Sequence, residues 1–122
     1  MGIFMRYVGI AATVALLSAA IASSVGMTAA SAASDGALVG LHELRREGNK
    51  TCMSEHFHNG SSVGVANRGR AEAEALRNWS DFTALEYGGH WGSTALAANK
   101  SMKCSQGASG WSCDFEARPC KR

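Results

Sequence analysis

The sequence predicts an α+β fold: a small disulfide-stapled domain with one central helix packed on a β-hairpin or short sheet, preceded by a signal peptide. Three observations predict it. All four cysteines, Cys52, Cys104, Cys113 and Cys120, lie beyond an apolar, cysteine-free N-terminus. A proline-free stretch from Arg68 to Glu86 carries apolar residues at helical spacing. Two later runs flank Gly107-Ala108-Ser109-Gly110, and the second of them alternates with the period of a half-buried strand.

The N-terminus reads as an export signal. Arg6 precedes an apolar run that is densest from Val8 to Leu17, and Ala30-Ser31-Ala32 supplies a small-x-small cleavage site. A retained membrane anchor would need about 20 strongly apolar residues. Here the run weakens at Ser23-Ser24 and turns rich in alanine and serine. The expected organisation is a signal peptide over residues 1–32, a flexible lead-in over 33–50 and the folded domain over 51–122. Export implies an oxidising compartment, periplasmic or extracellular, in which paired cysteines form disulfides.

The lead-in carries Leu38, Val39, Leu41 and Leu44, then Arg45-Arg46-Glu47-Gly48-Asn49-Lys50. One turn of helix or a strand fits this pattern, but its polarity favours a tether. After Cys52, the pair Asn59-Gly60 signals a turn and the valines beyond it a short extended stretch. Asn67 is placed to cap the helix. Ala71, Ala75, Trp79, Phe82 and Leu85 or Glu86 form its apolar face, and Gly88-Gly89 ends it. Trp79 is expected in the core, because so small a domain needs its large side chains there. From Trp91 onward the chain reads as one long hairpin.

The hairpin suggests a disulfide pairing. A turn centred between Ala108 and Ser109 sets Cys104 opposite Cys113 in a non-hydrogen-bonded pair, where Cα atoms approach to about 4.5 Å. That favours Cys104–Cys113 and leaves Cys52–Cys120. Four cysteines allow three connectivities, and a one-residue change of register would move Cys104 to the other face.

The run Glu86-Tyr87-Gly88-Gly89-His90-Trp91, the pair Lys103-Cys104, and the ending from Trp111-Ser112-Cys113 to Ala117-Arg118-Pro119-Cys120 resemble small exported proteins of alphaproteobacteria. The resemblance spans roughly Cys52 to Arg122. It implies a periplasmic or secreted bacterial location and brings no activity and no catalytic residues.

Charge and motifs exclude several functions. With 12 Lys and Arg against 10 Asp and Glu, the chain lacks the clustered basic charge that nucleic acid attracts. After cleavage of the signal, no membrane association is expected. Neither a Gly-x-Ser-x-Gly elbow nor a Cys-x-x-Cys pair occurs, so no enzyme is expected and no catalytic residue is assigned. The expected function is a non-catalytic binding or interaction module, needing no cofactor and open to a protein partner. The alternative is a metal-binding periplasmic protein. Cys52-x-x-x-His56-x-His58 brings metal-ligand residue types close together, and zinc or copper accepts such imidazoles. His56 and His58 share a face if the segment is extended, and His42 and His90 are candidates to join them. Against this, the spacing matches no common zinc signature. A disulfide would also occupy Cys52 and leave the histidines as surface residues.

Overall fold

The computed structural model describes residues 35–122. The expected signal peptide and its cleavage site lie outside the described residues. A 3-10 turn, Ala37–Leu41, leads into strands β1 (Leu44–Glu47), β2 (Lys50–Met53) and β3 (His58–Val65). Helix α1 (Arg68–Tyr87) follows, then a second 3-10 turn, Gly89–Trp91. The chain ends in β4 (Ala98–Gly107), β5 (Gly110–Arg118) and the short β6 (Cys120–Lys121). The strands form two antiparallel three-stranded sheets, ordered β1-β2-β6 and β3-β5-β4. One helix packed on small antiparallel sheets and held by two disulfides is the α+β architecture expected.

Helix α1 forms where its end signals place it. The Asn67 side chain accepts a hydrogen bond from the Arg70 amide at 2.9 Å, a capping contact. Gly88, at φ 96°, ends the helix in a conformation that side chains disfavour. Its buried residues are Ala71, Ala75, Trp79, Thr83 and Tyr87, a row at strict four-residue spacing. The expected face is corrected here. Phe82 is exposed and Leu85 more so, while Thr83 and Tyr87 take the buried places. Ala71, Ala75 and Trp79 meet Cys113, Phe115 and Ala117 of β5 in the main core. The Trp79 ring stands edge-on to Phe115, and its indole N–H donates to the carbonyls of His58 and Ala117. Gly60 lets β3 approach the helix, since a Cβ there would meet the Ala75 carbonyl oxygen at 2.2 Å. Asn59-Gly60 therefore lies inside a strand, and its use is close packing and not the expected turn.

Residues 35–50 are not a flexible lead-in. Gly48, at φ 63°, turns β1 back onto β2, and Val39 is buried with Met53, Tyr87 and Trp91. The charged run is the hairpin itself: Glu47 receives hydrogen bonds from Arg45 and from Arg118. Arg118 is buried and also donates to the Met53 carbonyl, tying β5 to the first sheet. The second hairpin is shorter than expected, because β4 begins only at Ala98. Its register sets Gly107 opposite Gly110 and Cys104 opposite Cys113. The Cα atoms of these two cysteines are 4.1 Å apart, and they are bonded. Cys52 and Cys120 face each other across β2 and β6 and form the second bond. No cysteine is free. Among the described residues no helix is long and apolar enough to cross a membrane.

Candidate metal centre

Three elements converge at the C-terminal end of α1. The β2–β3 connection brings His56, the first residue of β3 is His58, and the last helical turn brings Glu86 and Tyr87. His42, between the first 3-10 turn and β1, joins them from the segment expected to be a tether. His56 and His58 lie on one side of an extended stretch, as their two-residue spacing allows. Phe57 between them is exposed.

The hydrogen-bond chain offers His58 two tautomers. Thr83 Oγ1 donates to the Trp79 carbonyl one turn back, at 2.7 Å. With its single proton there, His58 Nδ1, 2.9 Å away, carries the hydrogen and donates it to Thr83; with the hydroxyl turned to Nδ1 instead, His58 Nε2–H donates to Glu86. The first tautomer turns the Nε2 lone pair of neutral His58 toward the cluster. Tyr87 Oη lies 3.1 Å from this nitrogen, 3.1 Å from His42 Nε2 and 3.0 Å from His56 Nε2. A phenol has one proton to give and two lone pairs to receive. The network closes when Tyr87 donates to His58 while His42 and His56 donate to Tyr87.

One further contact belongs to that network. Glu86 Oε2 sits 3.1 Å from His58 Nε2. In the first tautomer two acceptors meet there, and in the second an Nε2–H···carboxylate hydrogen bond joins them. Protonation of His58 is opposed by its surroundings. Burial lowers its pKa, and His56 beside it acts the same way, outweighing the pull of the Glu86 charge. Burial and then His42 also lower the pKa of His56. Tyr87 is pushed up to about 12, first by burial and then by the Glu86 charge, so it stays a phenol at neutral pH. The helix contributes too. Its negative end faces this site, and no basic side chain occupies its last turn.

His56, His58 and Glu86 each offer one donor atom, and these atoms all lie within 4.8 Å of one another. A tetrahedral ion with bonds of about 2.0–2.1 Å holds its donors about 3.3 Å apart, so the His58–Glu86 pair is already near that spacing. Thr83 supplies the outer hydrogen bond that orients a ligating imidazole. Two imidazoles and a carboxylate suit zinc or copper(II). Cys52, locked in its disulfide, offers no thiolate. His90 is exposed on the second 3-10 turn and stands outside the group, whereas His42 reaches its edge. The sequence expectation that both His56 and His58 are surface residues is corrected for His58, which is 3 % exposed. Glu86 and Tyr87 went unseen as site residues. Extending the helix row from Trp79 by two further steps of four would have reached Tyr87 and placed Glu86 beside it.

No protein-family model, curated protein or solved structure matches the chain.

Proposed function

We propose that this chain is an exported metal-binding protein that takes one zinc or copper(II) ion at His56, His58 and Glu86. The observation that carries the reading is the convergence of one donor atom each from His56, His58 and Glu86 within 4.8 Å, with the His58 ring held from behind by Thr83. The two disulfides support export, since such bonds persist in oxidising compartments. A periplasmic or secreted location follows from the signal-like N-terminus on the same reading.

Zinc should raise the melting temperature. An ion at one hundred times its dissociation constant stabilises the folded state by about 2.7 kcal/mol. For a domain of this size each kcal/mol moves the midpoint by about 4–8 °C. The shift should vanish in His56→Ala, whose side chain is only partly buried, and magnesium should give none. An equal zinc shift in wild type and His56→Ala would refute the site.

A second reading, a protein-interaction module, draws on Leu41 and Leu85, which are 77 % and 83 % exposed, and on half-exposed Phe82 against the His58 ring. Substituting Leu41 and Leu85 by serine should abolish partner capture on that reading and leave zinc binding intact.

A further inference from the structure

The three protein donors leave a tetrahedral ion one position short, and a cleft lies beside it. Structural zinc sites are closed by four protein ligands, whereas sites that act on another molecule keep a position open. His42 does not complete the set. It lies outside the group of mutually close donors, and its ring packs on that of His56 with centroids 4.3 Å apart. It forms instead a wall of a cleft of about 190 Å³ that also includes Leu41, Glu43, Glu55 and His56. His56 is common to the donor group and the cleft.

The cleft walls select what enters. Two carboxylates, Glu43 and Glu55, line it and repel anions. A metal-bound imidazole donates its second ring N–H to an acceptor, most often a carboxylate or carbonyl. The cleft offers two such acceptors, the His42 and His56 rings offer stacking faces, and the volume admits a five-membered ring. We propose that the ion held by His56, His58 and Glu86 is open toward this cleft and takes an imidazole nitrogen from another molecule as its outer ligand. This rests on the metal-binding reading above. The imidazole belongs either to a small molecule or to a histidine side chain of a peptide.

Cobalt(II) in place of zinc makes the test visible, because its absorption reports its ligands. Full-length protein loaded with cobalt should show a protein-bound spectrum, and free imidazole should shift that spectrum saturably while the cobalt stays bound. Acetate at the same concentration should leave it unchanged. The Glu43→Gln/Glu55→Gln double variant changes exposed residues only, so it should keep the cobalt spectrum and bind imidazole several-fold more weakly. A peptide with one histidine that binds at least tenfold more tightly than imidazole assigns a peptide partner, and equal binding assigns a small molecule. A cobalt spectrum that neither imidazole nor peptide alters shows a site closed by the protein itself and overturns this inference alone. An equal response to acetate overturns the selectivity. Failure to bind cobalt at all removes the metal reading, and this inference with it.

Discussion

Trp79 and Tyr87 stand two turns apart on one row of the same helix, and their surroundings differ in kind. Trp79 is sealed among Ala75, Phe115 and Ala117, and its one polar hydrogen meets two carbonyl acceptors. Tyr87 is as deeply buried, yet its hydroxyl faces three imidazoles with a carboxylate alongside. A row with four-residue spacing drifts around the helix by about 40° per step. The drift carries the buried face from the β3–β5 sheet at Trp79 to the two connections holding His42 and His56 at Tyr87. One end is therefore apolar core. The other gathers two imidazoles and a carboxylate whose donor atoms lie within 4.8 Å of one another. Hydrogen bonds join the two ends through His58, whose carbonyl accepts from Trp79 while its ring belongs to the cluster.

The largest expected effect breaks the Trp79 end. Trp79→Ala should cost about 3–5 kcal/mol, most or all of the stability of so small a domain. Circular dichroism should show loss of folding or a far lower melting point. A wild-type melting curve would mean that the row of buried residues is not the core.

The staples come next. Cys52–Cys120 spans 68 residues and Cys104–Cys113 spans 9. The chain-entropy treatment gives about 4 kcal/mol for the longer loop and about 2–3 for the shorter. Cys52→Ser/Cys120→Ser should therefore lower the denaturant midpoint more than Cys104→Ser/Cys113→Ser. The reverse order would show that the terminal bond carries little.

At the Tyr87 end, acidification separates the two regions. The folded pKa values of His56 and His58 are lowered, so the unfolded chain binds more protons as pH falls through its own histidine pKa of about 6.5. Their contribution is complete above that value and is lost as pH drops toward the lowered folded values. Thermal unfolding of metal-free protein should shift down between pH 7.5 and 5, and His58→Gln should flatten the slope. An unchanged slope would place the acid sensitivity elsewhere.

Local signals made some of this legible. Asn67 and Gly88 mark both ends of α1, and the alternation from Trp111 to Ala117 marks β5 and thereby the bonded Cys104–Cys113 pair. The first hairpin was hidden because Arg45, Arg46 and Glu47 look like a solvated tether. Their strand depends on pairing across Gly48 and on Arg118, which comes 71 residues after Glu47. Gly48-Asn49 between charged runs was the available hint. Phe82 attracted the helix face because it is larger and more apolar than Thr83, but the packing follows position, and Thr83 is needed to hold His58. The pair His56 and His58 was visible by spacing. Glu86, Tyr87 and His42 reach it only through the tertiary fold, which no local pattern encodes.

Metal content after loading and dialysis tests the central claim most directly. Wild-type protein equilibrated with zinc and dialysed against buffer of low free zinc should retain one ion per chain by elemental analysis. His56→Ala and Glu86→Gln, both at partly buried positions, should retain almost none while remaining folded. Wild-type protein that emerges without zinc or copper, or folded variants that keep as much as wild type, would contradict it.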